Sequence, residues 1–181
     1  MRRTIKTIVM ALICLTSVSC LKEKLEEAYN KQETAIDKYI DNALSSNESY
    51  TVTYNNGSSR LTRLAGEGEA LKAGGSVSFY YAGYTFNGSI SSSGLFVTNH
   101  QETAESEKFI LTDADYSLYE ITIGETELIE GLHNGLIGVQ AGEECEILFS
   151  GKYAFGNSTF GIIPANSALA FKIWVVGVSN D

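Results

Sequence analysis

Apolar residues recur at two different spacings along the chain, and the change from one to the other falls near residue 50. Over residues 20–49 the spacing is helical, and charged residues fill the other faces; the apolar positions are Leu25, Tyr29, Ile36, Ile40 and Leu44. The pattern predicts a helical stalk that ends in the Ser-Ser-Asn run at 45–47. We expect the stalk either to pack lightly on the following domain or to hold that domain away from a membrane. We favour both over dimerisation through this helix. The oligomeric state stays open.

From residue 50 onward apolar and polar residues alternate, as they do in half-buried strands. The run YTVTY alternates and is followed by NNG, which is typical of a tight turn. In SVSFYYAGYTF the residues Val77, Phe79 and Tyr81 share one face. Three further strands are predicted. One ends near Gly124, one occupies EECEILFS, and the last lies in ALAFKIWVVGV near the end of the domain. Residues 98–118 are mostly polar and acidic, and we expect them to form one long loop.

A short helix is predicted between the strand that ends near Gly124 and the turn at 141–142. Its apolar side carries Leu128, Ile129, Leu132 and Leu136. Many strands around one short helix are typical of an antiparallel α+β domain. We therefore divide the chain into residues 1–19, residues 20–49 and one domain at 50–181.

Residues 1–19 have the layout of an export signal peptide. Basic residues precede the mainly apolar run TIVMALICL, which at nine residues is shorter than the roughly 20 needed to span a bilayer. The small residues before Cys20 resemble the lipobox of bacterial lipoproteins, in which the cysteine is lipidated and begins the mature chain. Ser17 stands where leucine is usual, which leaves an ordinary signal peptidase site open.

The lipobox resemblance implies where the protein works. We expect a domain anchored through a lipid on Cys20 in the cell envelope of a Gram-negative bacterium, at the outer membrane. Acidic residues close behind Cys20 resemble a surface-export signal of some lipoproteins. The periplasmic and the surface face both stay open.

Charge and cysteine content narrow the possible partners. The formal net charge is −9, and removing the leader removes basic residues only, so binding to nucleic acid or to an anionic membrane surface is disfavoured. Of the three cysteines, Cys145 alone lies outside the leader and lipobox. It shares a strand face with Ile147 and Phe149, which predicts a buried, inert thiol.

The histidines do not suggest a metal site or a catalytic triad. His100 lies in the acidic loop and His133 on the short helix, with no cysteine or second histidine near either in sequence. We expect no cofactor and no metal.

Four ordered motifs resemble those of the FKBP-type peptidyl-prolyl cis-trans isomerases over about residues 60–178. They are GETELIEGL, AGEE, YAFG and IIPANSALAF. The resemblance implies a curved antiparallel sheet wrapped around a short helix, with an apolar pocket between them. It also implies that proline-containing polypeptides are the substrates, and it places Pro164, the single proline, in the rim of the pocket.

Carried over motif by motif, the resemblance assigns the pocket lining to Tyr81, Phe96, Tyr119, Leu128, Ile129, Leu132, Phe155, Ile163 and Phe171. Three positions depart from the family pattern. Val97 replaces an aspartate, Phe155 a tyrosine and Leu132 a tryptophan that is often leucine in bacterial members. The first two changes remove polar groups that orient a ligand.

The chemistry implied by the resemblance needs no proton relay. Rotation about an X-Pro bond faces a barrier of about 20 kcal/mol because amide resonance must be broken, and a catalyst need only prefer the twisted amide. We therefore expect an isomerase that assists the folding of exported proteins. The alternatives are a peptide-binding or chaperone module on the same fold with little activity, and an unrelated β-rich lipoprotein that binds glycans.

The lipid anchor can be tested by metabolic labelling with a fatty acid. Cys20→Ala should abolish the label, because the lipobox cysteine is the residue that receives the lipid. Cys14→Ala is the matched control and should label like the wild type. Equal labelling of the wild type and Cys20→Ala would contradict the lipoprotein interpretation.

Overall fold

A computed structural model describes residues 2–109, 111 and 114–180, with side chains from Leu21 onward. Helix α1 spans Arg2–Ser46. The expected signal peptide and the lipidated Cys20 lie outside the residues whose side chains are described. Among the described residues, no helix combines the length and the apolar character needed to cross a membrane.

Within the described residues, seven strands form one antiparallel sheet. They are β1 (Thr51–Asn55), β2 (Ser58–Leu64), β3 (Ser76–Thr85), β4 (Leu95–Thr98), β5 (Tyr119–Thr122), β6 (Glu144–Phe149) and β7 (Leu169–Ser179). The order is β1-β2-β6-β7-β3-β4, and β5 also pairs with β3. Register shifts interrupt several pairings, as β-bulges do where a sheet bends. The predicted α+β fold, a curved antiparallel sheet with a short helix, is confirmed.

The turn between β1 and β2 forms where NNG predicts it. Asn56 and Gly57 both have positive φ, at 43° and 81°, and Asn55 pairs with Ser58 across the turn. A two-residue turn with positive φ at both positions matches the right-handed twist of the flanking strands. It therefore sets the register of the β1–β2 pair.

One face of the sheet packs against α3 (Glu130–Leu136), the predicted short helix. The main core lies between them and includes Phe79, Leu136, Ile147 and Ile173. Along β3 and β7, alternate residues point into this core, as the period of two predicts. We call this side of the sheet the core face and the other side the back face.

Helix α1 packs on the back face much more firmly than the light contact expected from the sequence. Ile36 and Ile40 are 3% and 0% exposed and belong to a second core with Leu61, Leu148 and Ala170. The Tyr39 hydroxyl donates to Glu146 Oε2 at 2.9 Å, and Arg63 donates to the same oxygen at 2.8 Å. Ile36 and Ile40 of the apolar stripe therefore belong to the core.

The expected long loop at 98–118 contains a helix, α2 (Gln101–Ser106), so the loop prediction is wrong over those residues. Ala104 is buried, His100 stacks on Trp174 with ring centroids 3.9 Å apart, and the Tyr84 hydroxyl donates to Glu107. Six residues are too few to show a helical period in sequence. These contacts place α2 on the back face.

Ile40→Ala should lower the free energy of unfolding by about 2 to 5 kcal/mol, because it leaves a cavity between α1 and the sheet. Lys38→Ala, on the exposed side of the same helix, should change it by less than about 0.5 kcal/mol. Urea unfolding followed by circular dichroism measures both. Equal effects of the two substitutions would mean that α1 does not pack on the sheet in solution.

Candidate active site

A cavity of about 550 Å³ opens on the core face, between the sheet and the start of α3. All nine residues assigned to the pocket from sequence line it: Tyr81, Phe96, Tyr119, Leu128, Ile129, Leu132, Phe155, Ile163 and Phe171. Six further residues complete the lining, namely Phe79, Val97, Glu127, Phe160, Gly161 and Ile162. The structure brings the nine together, and their catalytic roles stay a prediction.

Two groups of aromatic rings form the walls of the cavity. On one side Tyr119 meets Phe79 and Tyr81 edge to face, with ring centroids 5.6 Å and 5.7 Å away. On the other side Phe96 meets Phe171 edge to face at 5.8 Å. Such pairs stabilise one another beyond the area they bury, so both walls keep a defined shape.

The rim of the cavity carries two residues that the motif comparison missed. Phe160 stacks flat on Phe155 with ring centroids 4.6 Å apart, and it exchanges two backbone hydrogen bonds with Ile163. Ile162 stands at the tip of this turn and is 76% exposed. The signal available in sequence was the apolar run around Gly161. Pro164 follows Ile163 directly, in the rim segment where the resemblance places it.

Helix α3 supplies the floor of the cavity and is held close to the sheet. Cβ atoms on Gly131 and Gly135 would lie 2.2 Å from side-chain atoms of Phe149 and Ile147, so the helix can approach this closely only with glycine there. Leu132, next to Gly131, is 7% exposed and reaches the cavity. The contact between α3 and β6 therefore sets the depth of the pocket.

A buried ion pair fixes the other end of α3. Arg60 Nη1 donates to the carbonyl oxygens of Gly135 and Ile137 at 2.9 Å and 2.8 Å, which caps the carbonyls left free at a helix end. Its Nε lies 3.2 Å from Glu143 Oε1, and both side chains are less than a tenth exposed. Removing either partner would leave a buried charge without compensation.

The cavity is nearly uncharged. Glu127 is the one ionisable carboxylate among the lining residues, and it lies at the exposed rim. Burial raises the pKa of Tyr81, and the neighbouring Tyr119 and Asp115 raise it further, so its hydroxyl stays protonated at neutral pH. The site can thus offer shape, apolar surface and phenol hydroxyl groups, with no charged group at its centre.

Asn99 ties residues 98–118 to the cavity wall. Its side-chain oxygen accepts the backbone N–H of Tyr81 at 2.6 Å, and its amide donates to the carbonyl oxygen of Ser117 at 2.9 Å. The helix of this segment lies on the back face, and the last residues of the segment lead into β5, which carries Tyr119.

The remaining candidate chemistry lies away from the cavity. Cys145 is fully buried, as predicted, and burial raises the pKa of its thiol well above the usual value. His133 Nδ1 contacts Asn134 Oδ1 at 3.2 Å, and His100 stacks on Trp174. Within the part of the chain that the structure describes, no three histidine, cysteine, aspartate or glutamate side chains cluster as metal ligands would.

Sequence comparison identifies the family to which this combination of sheet, helix and aromatic cavity belongs. Residues 67–176 match the family model described as FKBP-type peptidyl-prolyl cis-trans isomerase. The match covers more than half of the chain. The chain therefore belongs to the FKBP-type peptidyl-prolyl cis-trans isomerase family.

Individual relatives are similar over part of their length. The chain is 39% identical to FK506-binding protein 1A of Neurospora crassa over 72 residues, which are 38% of this chain and 60% of that protein. It is 28% identical to FK506-binding protein 3 of Kluyveromyces lactis over 116 residues, which are 64% of this chain and 23% of that protein. The chain thus spans less than two thirds of these curated relatives.

Solved structures share the fold at low sequence identity. FkpA from Escherichia coli aligns with 97% of this chain and 71% of its own, at a TM-score of 0.56 and 18% identity. The three FKBP domains of wheat FKBP73 align with 73% of this chain and 52% of theirs, at a TM-score of 0.58 and 21% identity. These similarities concern the fold.

Gly83→Ala should disturb the wall formed by Phe96 and Phe171. A Cβ on Gly83 would lie 2.8 Å from an atom of each ring, so both rings must move. Overpacking of this kind costs about 1 to 3 kcal/mol of stability, measurable by urea unfolding. Gly177→Ala, whose Cβ meets only Ser78 Oγ at 3.1 Å, is the matched control and should cost less. No loss in Gly83→Ala would contradict the packing of this wall.

Proposed function

We propose that the chain is a peptidyl-prolyl cis-trans isomerase that acts on exported proline-containing polypeptides. The observation that carries the proposal is the aromatic cavity, in which all nine residues assigned from the family motifs face one space of about 550 Å³. Membership of the family supports the reaction type.

The cavity lowers the barrier by preferring the twisted amide to both planar forms. A twisted amide has lost its resonance and is less polar, so it loses less on leaving water than a planar amide does. The apolar walls of Tyr81, Phe96 and Phe171 exclude water from the bond. A thousandfold acceleration needs about 4 kcal/mol of such preference.

We assign the site of action to the cell envelope. The support is the layout of residues 1–19, the small residues before Cys20 and the acidic residues behind it. On this proposal a lipid on Cys20 holds the domain at the outer membrane of a Gram-negative cell, where newly exported chains fold.

A second candidate function is a peptide-binding or chaperone module on the same fold. The observation that favours it is the loss of two polar groups from the cavity, since Val97 and Phe155 stand where the family pattern has a carboxylate and a phenol. Such a module would hold an apolar peptide segment without accelerating rotation about the proline bond.

A protease-coupled isomerisation assay on X-Pro tetrapeptides separates the two functions. We expect the wild type to accelerate isomerisation, because the apolar walls are complete. Peptide binding without acceleration would favour the module. If the protein neither binds the peptide nor accelerates its isomerisation, both proposals are wrong.

The double variant Val97→Asp with Phe155→Tyr tests the role of the missing polar groups. It should bind FK506, the ligand in the names of several relatives, more tightly than the wild type by about 1 to 3 kcal/mol. Its isomerase activity should change less, because the walls carry the preference. Val176→Asp, on an exposed position of β7, is the control. Unchanged affinity, measured by calorimetry, would contradict the interpretation that polar groups at these two positions orient the ligand.

A further inference from the structure

Tyr29 and Gln32 of helix α1 hydrogen-bond to the connection between β6 and β7, residues 150–168. The Tyr29 hydroxyl donates to Asn166 Oδ1 at 2.7 Å. Gln32 Nε2 donates to the carbonyl oxygen of Asn166 at 2.7 Å, and Gln32 Oε1 accepts the backbone N–H of Gly151 at 2.8 Å. The side-chain amide of Gln32 thus bridges the beginning and the end of this connection. We call Tyr29 and Gln32 the helix clamp.

The connection between β6 and β7 carries the rim of the cavity, because Phe155, Phe160 and Ile163 all belong to it. Its first and second halves also bind each other, since the Asn166 N–H donates to the carbonyl oxygen of Gly156 at 2.6 Å. A Cβ on Gly151 would lie 2.5 Å from the Asn166 carbonyl, so the two backbones are in close contact.

The clamp is distinct from the part of α1 that builds the back-face core. Ile36, Ile40 and Ala43 pack on the sheet one to three turns further along the helix. Tyr29 is 6% exposed, and its hydroxyl bonds to Asn166, 137 positions further along the chain. The backbone of Asn166 is strained, because its φ is 59°.

We propose that Tyr29 and Gln32 are positioning residues for the cavity, which hold the connection between β6 and β7, with Phe155 and Ile163, in the geometry that receives the peptide. The proposal rests on the proposed function in that it takes the cavity as the peptide site. Neither residue lines the cavity, so both act through this connection. The N-terminal helix then supports the binding site without lining it, and it lies outside the matched family region at 67–176.

The effect of the clamp should appear in binding. A rim held in one conformation need not be ordered when the peptide arrives, whereas a loosened rim bears that entropic cost at each binding event. Once a peptide fills the cavity, the rim packs on it with or without the clamp. Loss of the clamp should therefore raise KM and leave kcat nearly unchanged.

The test compares Tyr29→Phe and Gln32→Ala with Tyr39→Phe in the full chain. Tyr39→Phe removes a hydroxyl from the same helix, and that hydroxyl bonds to Glu146, which does not line the cavity. We expect KM for an X-Pro tetrapeptide to rise about threefold to tenfold in Tyr29→Phe, which loses one hydrogen bond, and at least as much in Gln32→Ala, which loses two. In Tyr39→Phe KM should stay within a factor of two of the wild type.

Amide hydrogen exchange gives a readout that does not need the reaction. The Ile163 N–H donates to the carbonyl oxygen of Phe160 within the rim turn and makes no contact with α1. Its exchange should be about threefold to tenfold faster in the clamp variants and unchanged in Tyr39→Phe. Faster exchange at Gly151 alone would show a local loss that does not reach the rim, which would overturn the proposal.

The remaining outcomes also decide between the possibilities. Clamp variants that lose stability but keep the wild-type KM and Ile163 exchange would have a structural role only, and the proposal would be wrong. If the wild type shows no isomerisation, the proposed function fails, and the exchange of Ile163 still decides whether the clamp positions the rim.

Discussion

The close approach of α3 to the sheet is the constraint on which the rest of the molecule depends. It requires hydrogen in place of a side chain at Gly131 and Gly135, and the pair of Arg60 and Glu143 holds the end of the helix in place. The cavity is the space left beside this contact, where the sheet curves away and Leu132 forms the floor. A helix standing further from the sheet would leave the aromatic rings without a common space to enclose.

The sheet serves different purposes on its two faces, and this division explains how the extra segments coexist with the site. The core face carries the cavity, while α1 and α2 cover the back face. None of the described residues between β4 and β5 lines the cavity. Asn99 connects the cavity wall to the segment that precedes β5, because it bonds to the backbone of both Tyr81 and Ser117.

Sequence alone predicted the parts of the fold that follow from local periodicity or from family motifs. Alternation identified β3 and β7, the NNG turn was placed correctly, and the motifs selected nine residues that share one cavity. The rest depends on contacts distant in sequence. Six residues of α2 carry no readable period, the stack of Phe160 on Phe155 requires a folded turn, and the bond from Tyr29 to Asn166 joins positions 137 apart.

The burial of Cys145 makes the opening of the sheet observable. Its sulfur lies in β6, which is paired on one side with β2 and on the other with β7, and the residue is 3% exposed. A thiol reagent can reach that sulfur only when a central strand separates from its neighbours. The rate at which the native protein reacts at this position would therefore report the opening of the strands that frame α3, independently of any ligand.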